Sequence, residues 1–159
     1  MNLSNDSKNS AYDGAGRLNH TIWRSKKFRE SIIEGKLALV YLIAGPEFSP
    51  SGIFTVDLAS IGAAISSTGE PPFFRRQGER VTRLLVDSGL IRYDSPTCYI
   101  PGVREFYLQS DIPGIKEQID RDVAKVLPGP VLDAYKAKYG LGDSELAASS
   151  DMLLSLIHI

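Results

Sequence analysis

The chain has 159 residues, with 18 Lys and Arg against 19 Asp and Glu for a formal net charge of −1, and 43% of its residues are hydrophobic. That length fits one domain with a sizeable core, and a near-neutral chain has no overall attraction to a polyanion, so any nucleic-acid contact must come from a local concentration of basic side chains. Cys98 is the only cysteine, which excludes an intramolecular disulfide or a thiolate metal cluster and suits a reducing cytoplasm, with a buried strand thiol as the expected environment.

The first 18 residues are polar, and no apolar run reaches the roughly 18 residues needed to cross a bilayer, so neither export nor a membrane partner is expected. Residues 1–22 are rich in Ser, Asn, Asp and Gly without apolar periodicity, the composition of a flexible arm. From Arg17 to Arg29 the chain carries Arg17, Arg24, Lys26, Lys27 and Arg29 with no acid. This basic lead-in could touch phosphates or stay solvated. Trp23 and Phe28 flank its basic cluster. A helix is then predicted from about Ser31, with Ile32, Ile33, Leu37, Val40, Tyr41 and Ile43 giving a broad core-facing surface, ending at Gly45-Pro46. A rigid loop, 46–51, leads on from it.

Gly52 to Val56 reads as a short strand. Asp57 can cap a helix whose apolar positions Leu58, Ile61, Ala64 and Ile65 have helical spacing. After the breaker Thr68-Gly69-Glu70-Pro71, Pro72 suits the first turn of a second helix, which Phe74, Gly78, Val81, Leu85 and Ser88 mark along one face until Gly89 stops it. Leu37, Ile61, Val81, Leu84 and Leu85 are expected to share one core. On this second helix Arg76, Arg80 and Arg83 stand at i, i+4 and i+7, opposite Phe74, Val81 and Leu85, with Arg75 beside them. Such a row can pair with guanine edges or phosphates. It can equally be a solvated face partly neutralised by Glu79 and Asp87.

Leu90–Asp94 and Cys98–Ile100 read as a hairpin around Ser95-Pro96-Thr97. Its charge is small, since Arg92 is offset by Asp94, and its hydroxyls, Thr97 included, are modest phosphate donors. The segment REFYLQS is expected to finish the hairpin's strand. Ile115, Ile119, Val123, Val126 and Leu127 mark a helix closed by Pro128-Gly129-Pro130, and a further helix from Val131 to Tyr139 is stopped by Gly140. Residues 140–153 read as a linker. LSLIHI at 154–159 is what one frame of a common transposase-adapter end encodes, so it is expected to be an artefact that truncates a longer protein.

The order WRSKKF, LALVYLIAGP, SGIFTVDLASIGAAI, VTRLLVDSGLIRYD, CYIPGV and IDRDVAKVLPGPVLDAYKAKYG, covering Trp23 to about Tyr139, resembles the winged-helix N-terminal region of phage and prophage replication proteins of the DnaD and replisome-organiser type. The resemblance implies an α+β fold, a winged helix-turn-helix with additional C-terminal helices over residues 23–139. It also implies a DNA-linked role in initiation or primosome assembly in the cytoplasm of a bacterial host, with a helicase or helicase loader as possible partner. Some winged helices of these families self-associate instead. On this basis Arg75, Arg76, Arg80, Arg83, Arg92, Thr97, Lys26 and Lys27 are the candidate DNA-binding residues. A transcriptional regulator and a homo-oligomerisation module without DNA contact are the alternatives.

No catalytic constellation is visible. The two histidines are His20 and His158, one in the arm and one in the terminal hexapeptide, so no His-based triad or zinc site is expected. Neither GxxxxGK[ST] nor GxGxxG occurs, and Glu117, Asp120 and Asp122 are spaced for solvation. The chain is therefore expected to use no cofactor and no metal, and not to be an enzyme.

Overall fold

The computed structural model describes residue 16 and residues 20–142, and these form an α+β fold. Most of the expected arm, the linker beyond 142 and the terminal LSLIHI lie outside the described residues. A short 3-10 helix, His20–Arg24, precedes α1 (Lys26–Glu30) and α2 (Ile33–Ala44). Then come β1 (Ile53–Thr55), α3 (Leu58–Ile65), α4 (Pro71–Asp87), β2 (Arg92–Asp94) and β3 (Thr97–Tyr99), followed by α5 (Val103–Leu108), α6 (Ile115–Ala124) and α7 (Pro130–Tyr139). Ile22 packs against the main core, so folded structure begins within the stretch whose composition suggested an arm.

Local chemistry accounts for the start of α3 and both ends of α4. The Asp57 carboxylate accepts the Ser60 amide at 2.6 Å, capping α3 and satisfying a donor that the helix itself cannot pair. Pro71 and Pro72 occupy the first turn of α4, where their missing amide donors cost nothing. Gly89, at φ 76°, turns the chain out of that helix with a conformation that a side chain would oppose.

The helix pair α3 and α4 meets backbone to backbone. A Cβ on Gly62 would collide with the Phe74 carbonyl, and one on Gly78 would collide with the Leu58 carbonyl. Two glycines therefore let the helices close, and the closure sets how α4 is rotated. Gly78, Val81, Thr82 and Leu85 turn inward, where Val81 and Leu85 join Ile61, Leu39, Leu42 and Phe54 in the main core.

The three strands form an antiparallel sheet in the order β1-β3-β2, so β3 is central. Ile53 pairs with Tyr99 and Phe54 with Cys98 on one side; Arg92 pairs with Tyr99 and Tyr93 with Cys98 on the other. Alternation then divides the residues between two faces. Phe54 and Cys98 enter the main core. Ile53 and Tyr99 enter a second cluster with Val126, Val131, Leu132 and Tyr135 from the C-terminal helices. Burial pushes the Cys98 thiol pKa well above its ordinary value, which keeps it protonated.

Several expectations are corrected. Leu37 and Leu84 are 46% and 40% exposed and lie outside the core, because α2 turns Gly35, Ala38, Leu39 and Leu42 inward and α4 is fixed by its glycine. Ile32 is the residue before α2, and both it and Ile33 are exposed. REFYLQS does not continue a strand. The Ile100 amide bonds to the Gly52 carbonyl and ends the ladder, Pro101 offers no donor, and Gly102 at φ 88° starts α5. Helix α6 stops at Ala124, before Val126 and Leu127.

Replacing Gly78 by Ala adds roughly 1 kcal/mol of helix propensity in isolation, yet the new methyl meets backbone that no rotamer change can clear. A net loss of about 1–3 kcal/mol is expected in chemical denaturation, and an unchanged midpoint would mean that the helices do not cross there. Leu85→Ala should lower stability by about 2–5 kcal/mol, whereas Leu84→Ala should stay within about 0.5 kcal/mol. Equal effects in urea unfolding would show α4 rotated from this orientation.

Candidate nucleic-acid interface

With Gly78, Val81 and Leu85 committed to the core, the opposite face of α4 carries the arginine row to solvent. Arg76, Arg80 and Arg83 border a shallow hollow of about 280 Å³ that Glu79, Leu84 and Asp87 complete. They are not equivalent. Arg80 reaches across to Glu34 of α2 at 3.4 Å and donates hydrogen bonds from its Nε and Nη2 to the Gln77 side-chain oxygen at 3.2 and 3.0 Å. Arg75 pairs with Glu79 at 3.5 Å. Arg76 and Arg83 have no ion-pair partner among the described residues. The bridges are all surface pairs, with side chains 44–69% exposed, and such pairs exchange readily for another anion.

The remaining candidates lie elsewhere. Lys26 is paired with Glu30 of the same helix at 3.9 Å. Lys27 is directed instead toward Gly89, at the end of α4. Arg92, on the edge strand β2, shares its register position with Tyr99 and so faces α7. Thr97, expected in an exposed turn, is the first residue of the central strand and is 6% exposed. It is removed from the candidate set, because the turn consists of Ser95 and Pro96 alone and a phosphate cannot reach a buried hydroxyl. The structure thus brings Arg76, Arg80 and Arg83 together and places Lys27 and Arg92 in a different region.

Residues missed in the sequence border that second region. Lys138 of α7 donates to the Tyr99 hydroxyl at 3.0 Å. Tyr139 donates its only hydroxyl proton to Glu105 at 2.6 Å, so in the 2.8 Å contact between Tyr99 and Tyr139 the donor must be Tyr99. The result is a directed chain from Lys138 through Tyr99 and Tyr139 to Glu105. By accepting a hydrogen bond from the Lys138 ammonium, the Tyr99 hydroxyl raises the lysine pKa and holds it charged. Beside the chain, buried Arg104 donates to the Tyr135 hydroxyl at 2.9 Å, with its guanidinium 4.9 Å from the Tyr139 ring centre. Tyr135 passes its proton on to the Ser51 carbonyl at 2.7 Å. The motif Tyr-Lys-Ala-Lys-Tyr in α7 held the only signal for Lys138, and nothing local indicated its partner 39 residues away.

Among the described residues no three His, Cys, Asp or Glu side chains are grouped to hold a metal ion, and no helix is long and apolar enough to cross a membrane. In comparisons with known proteins, no protein-family model, no curated protein and no solved structure matches the chain.

Burial opposes ionisation of Glu105, but the Tyr139 hydrogen bond and the nearby Lys138 and Arg104 charges outweigh it and leave the pKa below the ordinary 4.5. A carboxyl with a depressed folded pKa contributes stability that is present above its unfolded value and lost as pH falls through the folded one. Stability should therefore decline below about pH 4.5, and Glu105→Gln should be less stable than the parent at neutral pH but decline less steeply in acid. Parallel denaturation curves at each pH for both proteins would remove Glu105 from this role.

Proposed function

We propose that the chain is a DNA-binding protein of winged-helix architecture, of the phage or prophage replication type, acting by attachment to duplex DNA and not by catalysis. The order α2, β1, α3, α4, β2, β3 and the sheet order β1-β3-β2 support the architecture. In it α3 and α4 correspond to the helix-turn-helix, and α4 to the helix that enters the major groove. The observation that carries the reading is the outward arginine row on α4, with Arg76 and Arg83 unpaired among the described residues.

In this reading Arg76 and Arg83 meet phosphates or guanine edges directly, while Arg80 gives up Glu34 for the DNA. Arg75 contributes at the margin. The hairpin tip, Ser95-Pro96, carries no cation, so affinity rests on α4. Replication proteins such as a helicase or its loader in a bacterial cytoplasm would be the further partners.

A second reading is favoured by a specific feature of the same surface. Ile33 and Leu37 of α2 and Leu84 of α4 are 81%, 46% and 40% exposed, on the two helices that the Arg80–Glu34 bridge joins. An apolar surface threaded by ion pairs also suits self-association.

Replacing Arg76, Arg80 and Arg83 together by Ala separates the two. For DNA binding, the slope of log affinity against log salt on duplex DNA should fall by up to about 0.9 per lost phosphate contact, with folding stability changed by no more than about 1 kcal/mol per arginine. Unaltered duplex binding across a salt series, together with a loss of oligomeric state in light scattering, would assign the face to protein contact instead.

A further inference from the structure

Lys27, Arg92 and Lys138 come from α1, β2 and α7 and reach one groove of about 590 Å³. Strand parity explains the meeting of two of them, since Arg92 and Tyr99 occupy paired positions on the sheet face that α7 covers, and Lys138 is hydrogen-bonded to Tyr99. Lys27 approaches from the other side over Gly89. No acidic side chain lines the groove among the described residues, and none of the three cations has an ion-pair partner there. The carboxylate that answers Lys138 is Glu105, two tyrosines away along the hydrogen-bond chain. Much of the remaining wall is aliphatic, from Val86, Ile91 and Ala134.

Three like charges brought together with no carboxylate in the groove itself repel one another, and an anion placed between them relieves that repulsion. The volume lies within the roughly 300–1,000 Å³ of pockets that enclose a small organic group, so the space takes a sugar or base as well as a phosphate. A stacked duplex presents its phosphates on a convex rod and cannot lower a nucleoside into such a recess, whereas a single strand can. A basic groove that tracks a strand is also the general device for binding unpaired nucleic acid.

We propose that the groove of Lys27, Arg92 and Lys138 binds the backbone of a single nucleic-acid strand, as a site separate from the arginine row on α4. The inference rests on the nucleic-acid reading of the chain but not on the arginines that carry it. Because the walls are aliphatic and Tyr99 is buried, the strand gains apolar packing and not aromatic stacking, and base preference is weak.

The test is fluorescence anisotropy on the full chain with a labelled oligothymidylate and, separately, a labelled duplex of mixed sequence. The proteins are the parent, Lys27→Glu with Arg92→Glu, the same pair changed to Gln, and Arg76→Ala with Arg80→Ala and Arg83→Ala. The expected result is a loss of oligothymidylate affinity of about tenfold or more at low salt in the Glu pair and a smaller loss in the Gln pair, with the arginine variant binding the strand as the parent does. The Gln pair keeps the measurement meaningful if charge reversal prevents folding. A parent that binds duplex through the arginine row but does not bind oligothymidylate overturns the groove proposal and leaves the duplex reading standing. Strand binding that depends on Lys27 and Arg92, with duplex binding indifferent to the arginine row, keeps the groove and sinks the α4 assignment. Equal strand affinity in parent and both pairs, or displacement of the strand by ATP at equal phosphate concentration, overturns the proposal, the second outcome pointing to a free nucleotide as the occupant.

Discussion

The contact on which the rest of the molecule depends is the crossing of α3 and α4 at Gly62 and Gly78. A crossing built on side chains can slip or rotate as rotamers change, because each side chain has several ways to fill the same space. A crossing in which a Cα hydrogen faces a carbonyl has no such freedom. It fixes α4 about its own axis, and that rotation decides which residues of a strongly amphipathic helix meet the core and which meet solvent. Val81 and Leu85 are held inside, and the arginines three and four positions apart are held outside by the same contact.

The second organising feature is a three-stranded sheet whose central strand is buried on both faces, while its edge strand β2 stays partly open. Its central strand has no solvent side, so Cys98 and Tyr99 point into different clusters although they are neighbours in sequence. Helix α7 closes one face through tyrosine hydroxyls and cationic side chains as much as through apolar contact. Aromatic rings with polar tips are suited to such a boundary, since the ring packs and the hydroxyl finds a partner. Each hydroxyl proton in that layer has a defined acceptor, and the direction of the whole chain follows from the carboxylate at its end.

The fold was legible in the sequence where the signal was local. Asp57, the breaker ending at Pro71 with Pro72 behind it, Gly89 and Gly140 each mark a helix boundary through their own backbone chemistry, and the β-branched and aromatic runs on either side of Ser95-Pro96-Thr97 mark a hairpin. It was not legible where the deciding partner is remote. VREFYL has the composition of a strand, and it becomes a helix because the ladder ends at Ile100 and Gly102 redirects the chain. Leu37 and Leu84 fit an apolar stripe, but a broad stripe does not say which of its edges is buried, and Gly78 settled that for α4. Spacing alone located the arginine row, because helical periodicity is enough to place residues on one face. The meeting of Lys27, Arg92 and Lys138 depends on strand register and on the docking of α7, and neither is written in any short stretch.

Cys98 has a practical consequence that its packing role does not suggest. As the chain's one cysteine, at 0% exposure in the middle strand, it is shielded from alkylating reagents for as long as the sheet is intact. The rate at which it becomes modified in the native protein therefore reports how often the sheet opens, in the manner of a hydrogen-exchange probe confined to one atom. The same shielding means that a cysteine introduced on the surface can carry a fluorophore or a spin label while the natural thiol stays silent, so the protein comes with a built-in clock and an otherwise unmarked exterior.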